Sequence, residues 1–153
     1  MGAAPYATAL AISEAKGVSG RLEFSKKLDT GACVFDDYAH HPTEIRASLS
    51  SLKKKFKHVL CIFQPHTFSR THFLFEGFLS ALSLADELYI LPTYPSREKN
   101  IYNVSEKELA RLSGGELLCS KDEIYERIKK SSADCIVFMG AGEKEPYLDL
   151  SLL

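Results

Sequence analysis

The sequence lacks several features, and each absence excludes a class of function. It has no basic excess: 19 lysines and arginines stand against 20 aspartates and glutamates. A dedicated nucleic-acid binder usually carries a positive balance, so that class is set aside. No apolar run approaches the roughly 18 residues that a membrane span needs. The first residues, MGAAPYATALAISEAKG, lack the basic start of a secretory signal. None of the four cysteines, Cys33, Cys61, Cys119 and Cys135, is spaced as CxxC. Three of them lie inside apolar runs, where a free cysteine behaves as a small hydrophobe, as expected of a reduced cytosolic protein. Neither GxxxxGK[ST] nor GxGxxG occurs, so the usual backbone cradle for phosphates is missing. There is no internal repeat, low-complexity segment or interior linker.

What remains is the make-up of a packed globule. The chain has 153 residues, of which 45% are apolar. That is the size of one ordinary domain, and a chain of this length buries roughly 68–70% of its unfolded surface. Residues 1–153 are therefore read as one domain. The runs HVLCIFQ (58–64), ELYIL (87–91) and CIVFM (135–139) are short and nearly continuous, as in parallel strands buried on both faces. Helical patterns lie between them. One runs from Thr43, a candidate N-cap, to Phe56, with Ile45, Leu49 and Leu52 on one face. A second spans Thr71–Leu84. Two more open on SEKE at Ser105 and SKDE at Ser120, each a capping serine with glutamate three residues on. RLEFSKKL and ACVFDDY flank Asp29-Thr30-Gly31 and read as a hairpin. Alternating strands and helices predict an α/β, Rossmann-like three-layer domain. Its sheet should be mainly parallel, of about six strands, and mixed at the hairpin edge.

The polar clusters follow the strands. DDYAHHPTE (36–44) follows the first central strand and QPHTFSRT (64–71) the second. TYPSREKN (93–100) follows the third and GAGE (140–143) the last. In open α/β sheets, ligands bind beyond the carboxyl ends of the strands, so these stretches predict a ligand-binding rim. Each also has a plainer reading. His40 and His41 suit an ordinary turn before a helix, and His66 with Arg70 suits the surface of a helix start. Gly140-Ala141-Gly142 is equally a tight turn or a place where backbone approaches a ligand. Arg70 carries the planar fork that binds carboxylate or phosphate. His40, His41, His66 and Asp37 offer enough ligands for zinc, but adjacent histidines on an extended segment point to opposite sides, and no HExxH or HxH occurs. No protein-only metal site is expected.

DDYAHHPTEI, FQPHTFSRT, REKN and MGAGE, in this order and at these spacings, resemble the C-terminal domain of Mur ligases. GRLE at Gly20–Glu23 adds the arginine motif that opens that domain in the family. The resemblance runs from about residue 17 to residue 142, and it is nearest to the branch that adds L-alanine. It implies an enzyme that joins an amino acid to the carboxylate of a UDP-linked sugar, here UDP-N-acetylmuramate, using ATP and Mg²⁺ by way of an acyl phosphate. It also implies two upstream domains, one for the UDP-sugar and one carrying the phosphate loop. This chain alone would then be inactive and hold no cofactor by itself. The implied setting is peptidoglycan precursor synthesis in the bacterial cytoplasm, with neither nucleic acid nor membrane as partner.

The resemblance further implies individual roles. Arg21 would approach the ATP phosphates, and Asp37 would accept hydrogen bonds from the ribose hydroxyls. Tyr38, His40, His66 and Arg70 would line the amino-acid pocket, with Arg70 pairing with the alanine carboxylate. His40 or His66 would orient the amine or take its proton. His41, Pro42 and Glu44 would keep the shape of the turn and helix start. Thr67 stands where many family members carry arginine. Three rival readings stay open: a stand-alone nucleotide or amino-acid binding module, a ligase recycling a murein tripeptide onto the same UDP-sugar, and a metal-dependent hydrolase built on His40, His41 and His66.

Overall fold

The computed structural model describes residues 21–142. Strands β3 (Val59–Phe63) and β6 (Cys135–Met139) are buried along their whole length. Successive side chains of a strand point to opposite faces, and these two strands divide accordingly. Val59, Cys61 and Phe63 join Cys135, Val137 and Met139 in one apolar cluster, while Leu60 and Ile62 join Ile136 and Phe138 in a second. A strand covered on both sides has no polar face to show, which is why its sequence reads as an unbroken apolar run.

Strand β2 (Cys33–Asp37) pairs with β6 on one flank, and β4 (Glu87–Ile90) pairs with β3 on the other, all parallel. The outer strands are β1 (Glu23–Lys27), antiparallel to β2 with a register shift between Phe24 and Lys26, and the two-residue β5 (Glu116–Leu117), parallel to β4. The six-stranded order is β1-β2-β6-β3-β4-β5. The expected α/β sheet, mainly parallel and mixed at its hairpin edge, is therefore present. β5 was not expected, because two residues are too short for any period to register.

Helices α1 (Pro42–Lys53), α3 (Phe75–Leu82) and α4 (Glu106–Ser113) bury Ile45, Leu49, Leu52, Phe78, Leu82 and Leu109 in the first cluster. Helix α5 (Lys121–Lys130) buries Ile124 and Ile128 in the second, completing three layers. Both serine caps form: Ser105 Oγ accepts from the Glu108 N–H and Ser120 Oγ from the Glu123 N–H.

Two helix expectations need correction. Thr43 is not the cap of α1. Proline lacks an N–H and suits the first helical position, so the helix begins at Pro42 and the cap falls to His41. The residue before proline is pushed toward extended backbone. His41, at φ −117° and ψ 143°, has the geometry that a cap requires. The helix expected over Thr71–Leu84 is two helices, α2 (Phe68–Phe73) and α3, separated by Leu74 at φ −112°, ψ 18°. Gly77 of α3 lies against Pro42, where a Cβ would come within 3.1 Å of the proline ring. The break lets α3 dock on the sheet and α1 while α2 keeps Arg70 at the rim.

Candidate functional site

The parallel pairing of β2, β6, β3 and β4 brings their carboxyl ends to one edge. Hydrogen bonding continues past the strands and ties the following loops together. The Gly140 N–H donates to the Asp37 carbonyl (3.0 Å) and the Gln64 N–H to the Met139 carbonyl (2.9 Å). The Tyr94 N–H donates to the Pro65 carbonyl (2.8 Å), and the Thr67 N–H to the Tyr94 carbonyl (2.9 Å). At Gly140, φ is +145°, and a Cβ would stand 2.8 Å from the Gln64 carbonyl oxygen. The close backbone approach made by this glycine is thus to its own rim. Gly20 and Glu143, the outer residues of the GRLE and GAGE stretches, lie outside the described residues.

The turn after β2 is held by its own side chains. Asp37 is buried, and its Oδ1 accepts from the Ala39 N–H at 3.1 Å. The His40 Nδ1 lies 2.9 Å from the Tyr38 carbonyl oxygen. A carbonyl can only accept, so the contact puts the His40 proton on Nδ1 and leaves Nε2 of the neutral ring as an acceptor. His41 turns the other way: its Nδ1 accepts from the Thr43 N–H at 3.3 Å. The adjacent histidines therefore do different work, as the alternation of an extended segment requires. Glu44 Oε2 accepts from the His40 and His41 N–H groups (3.2 and 3.3 Å), and Oε1 faces Arg21 Nη2 at 3.5 Å. Burial pushes the Glu44 carboxyl upward. The His40 and His41 amides and the charges of His40 and Arg21 outweigh it and hold the carboxyl below its ordinary value.

A second group gathers after β3. Arg70 Nη1 lies 3.0 Å from His66 Nδ1 and 3.3 Å from the His66 carbonyl oxygen. A guanidinium only donates, so His66 accepts at Nδ1 and carries its proton on Nε2. Burial lowers the His66 pKa, and the charges of Arg70 and His40 lower it further. The ring is thus kept neutral, which its bond from Arg70 demands. Tyr94 stacks on His66 with centroids 5.5 Å apart and planes 19° apart. His40 lies 5.9 Å from His66 and Tyr38 5.2 Å from His40, centroid to centroid. The four aromatic rings form a continuous row. Thr67 has φ +68°, an outlier for a β-branched residue. Glu98 takes both the N–H (2.8 Å) and the hydroxyl (2.6 Å) of Ser69.

Tyr38, His40, His66 and Arg70, expected together, are together. Arg21 and Asp37, expected near one ligand, line one groove of about 260 Å³ with Tyr38, Ala39, Thr43 and Glu44. Sequence reasoning gave no role to Tyr94 or Glu98, although both stand in a stretch already marked as rim. A buried carboxylate suits sugar hydroxyls, and the Arg21 guanidinium, 66% exposed, suits an anion. The groove is smaller than the roughly 300–1,000 Å³ of a complete small-molecule pocket. The amides at the start of α1 are already engaged by His41 and Glu44. These residues fit the ribose end and outer phosphates of a nucleotide, not the whole of one. Among the described residues, no three His, Cys, Asp or Glu side chains converge to hold a metal ion.

A family model described as Mur ligase, glutamate ligase domain, matches residues 20–142. The chain is 42% identical to the UDP-N-acetylmuramate–L-alanine ligase of Aquifex aeolicus, over 86% of this chain and 30% of that protein. It is 49% identical to the ligase of the same name from Caldicellulosiruptor saccharolyticus, over 82% of this chain and 24% of that protein. Among solved structures, the UDP-N-acetylmuramate–alanine ligase of Thermotoga maritima matches at TM-score 0.62 and 29% identity, over 88% of this chain and 29% of that one. A murein peptide ligase from Psychrobacter arcticus matches at 0.63 and 25% identity, over 87% and 29%. The chain thus spans 24–30% of the length of the curated relatives named here.

Proposed function

The chain belongs to the Mur ligase family, and we propose that it is the C-terminal domain of a UDP-N-acetylmuramate–L-alanine ligase of the bacterial cytoplasm. The observation that carries this reading is the 42–49% identity to ligases of that name across more than four-fifths of the chain. The rim supports it, because its polar groups suit the parts of the reaction such a domain would serve. The intact enzyme would also hold a UDP-sugar domain and a phosphate-loop domain in the same polypeptide, and ATP with Mg²⁺.

ATP supplies the phosphoryl group that turns the sugar-linked carboxylate into an acyl phosphate. Asp37 would hold the ribose hydroxyls and Arg21 the phosphates. The remaining guanidinium N–H groups of Arg70 and the Nε2–H of His66 are donors for the alanine carboxylate. Nε2 of His40 is the acceptor for a proton of the attacking amine. The C–N bond forms as the C–O bond to phosphate breaks. Because His66 is neutral, the positive charge beside the amino-acid carboxylate rests on Arg70. Tyr38, 55% exposed, stands at the outer end of the ring row, where an upstream domain would cover it on closure.

The murein-peptide ligase reading has one observation in its favour, a backbone likeness as good as that to the alanine ligase. Sequence identity favours the alanine ligase in the solved pair, and the curated relatives named here are alanine ligases. The test is to join this chain to the two upstream domains of the Caldicellulosiruptor relative. Phosphate release is then followed with ATP, UDP-N-acetylmuramate and a panel of amino acids and the murein tripeptide. Release that requires L-alanine, together with none from the chain alone, is expected. Turnover by the chain alone, or a hybrid that prefers the tripeptide, refutes the reading.

A further inference from the structure

The first turn of α2 carries Arg70 and follows directly on His66, yet nothing in its own sequence caps it. Thr67, in the cap position, makes no side-chain cap hydrogen bond and stands at φ +68°. Strained backbone of this kind persists only where the surroundings over-determine it. The missing acceptor comes from across the rim. Glu98 Oε2 takes the Ser69 N–H at 2.8 Å, and Oε1 takes the Ser69 hydroxyl at 2.6 Å.

The loop that presents Glu98 is itself pinned. The Thr93 N–H donates to Glu106 Oε1 (3.1 Å). The Glu98 N–H closes a turn on the Pro95 carbonyl (2.9 Å). Asn100 exchanges two hydrogen bonds with the backbone of Val104 (2.8 and 2.9 Å). Tyr94, from the same loop, stacks on the His66 ring.

We infer that Glu98 is a positioning residue: from the loop after β4 it closes the first turn of α2 and so holds His66 and Arg70 in place for the incoming amino acid. This rests on the reading of the rim given above. Glu98 reaches His66 and Arg70 by charge alone, and its hydrogen bonds go to Ser69, so it holds their turn through that residue. The Ser69 hydroxyl and then the Ser69 amide hold the Glu98 carboxyl below its ordinary value, which favours the ionised form that accepts both bonds.

The test uses Glu98→Ala and Glu98→Gln. Glutamine can accept from the amide through Oε1 and donate to the hydroxyl through Nε2, so it keeps both contacts without the charge. In the joined ligase, Glu98→Ala should raise KM for L-alanine roughly tenfold, the scale of one lost charge-assisted hydrogen bond. KM for ATP should stay near the wild-type value in both variants, and Glu98→Gln, which loses only the charge, should raise the alanine KM less than Glu98→Ala. An unchanged alanine KM in Glu98→Ala, or an ATP KM raised as much, overturns the inference. Amide exchange in the 153-residue chain separates this failure from a wrong substrate assignment. The Ser69 amide should be protected in wild type and in Glu98→Gln, and should exchange much faster in Glu98→Ala, with β3 amides unaffected. Equal Ser69 exchange in all three proteins overturns the positioning role whatever the ligase turns over.

Discussion

Glu44 is where a single carboxylate can be asked the most. Replacement by alanine removes the acceptor for two amides, His40 and His41, and a negative charge in the first turn of α1. Loss of a capping group costs about 0.5–2 kcal/mol. Both contacts here are long, 3.2 and 3.3 Å, and the side chain is a third exposed, so the lower half of that range applies. The charge at the helix N-terminus adds roughly 0.3–1 kcal/mol, partly the same energy counted again. Glu44→Ala should therefore lose about 1–2 kcal/mol at neutral pH, a fall in Tm of roughly 2–8 °C for a domain of this size. Glu44→Gln keeps an acceptor for both amides and loses only the charge, so it should lie between alanine and wild type. Because the folded carboxyl is held below its ordinary value of 4.5, its stabilisation is present above that pH. It is lost as pH falls through the folded value. Urea unfolding of the three proteins between pH 3 and 7 measures this. The advantage of wild type over Glu44→Gln should shrink on acidification. An advantage that is constant or grows as pH falls would refute the assignment of the carboxylate as an ionised cap.

The His66 ring should titrate by NMR with a midpoint below its ordinary 6.5, because burial and then Arg70 and His40 disfavour its charged form. The folded state then binds fewer protons than the unfolded one, so this group lowers stability as pH falls from 6.5 toward the folded value. A midpoint at or above 6.5 would mean that Arg70 does not donate to Nδ1. Gly140→Ala places a Cβ 2.8 Å from the Gln64 carbonyl at φ +145°, whereas Gly31→Ala, at φ +92°, meets nothing within 4 Å. The first variant bears backbone strain plus overpacking of about 1–3 kcal/mol, the second strain alone. Thermal melting should rank Gly140→Ala well below Gly31→Ala, and equal melting would refute the close-approach argument.

The parts of the fold written in the sequence are those decided by local chemistry or by burial on both faces. β3 and β6 announce themselves because neither has a face to leave polar. Ser105 and Ser120 announce α4 and α5 because a cap is satisfied within four residues. The break at Leu74 was hidden, since the apolar stripe from Leu74 to Leu82 only begins there and periodicity reports burial, not where a helix is interrupted. His41 was hidden as a cap because its ring nitrogen, not a hydroxyl or carboxylate, does the accepting. The rim was legible as four polar stretches after strands, and the grouping of Tyr38, His40, His66 and Arg70 came with the family resemblance. What no sequence pattern holds is contact at long separation. Ser69 meets Glu98 across 29 residues, and Tyr94 meets His66 only because β3 and β4 are parallel neighbours. The proton positions on His40 and His66 follow from a carbonyl and a guanidinium that only the fold brings to them.

The same short turn serves both halves of the rim, and that constrains how the site can work. Asp37 fixes the Ala39 amide, Ala39 leads into His40, and Glu44 holds the His40 and His41 amides with one oxygen while facing Arg21 with the other. The groove of Arg21 and Asp37 and the ring row of His40 and His66 therefore share one hydrogen-bonded backbone segment. A shift of that segment moves both. On the proposed reading, a change in this turn reaches the nucleotide side and the amino-acid side together. Whatever brings the domain onto its upstream partners must carry both sets of contacts to the reacting carboxylate in one movement. A substitution that loosens the turn, Glu44→Ala above all, should then weaken ATP and alanine together. Glu98→Ala, acting only on the far side of His66, should weaken alanine alone. Two carboxylates near the same histidines thus predict different patterns of KM, and the pair distinguishes a shared scaffold from two independent pockets.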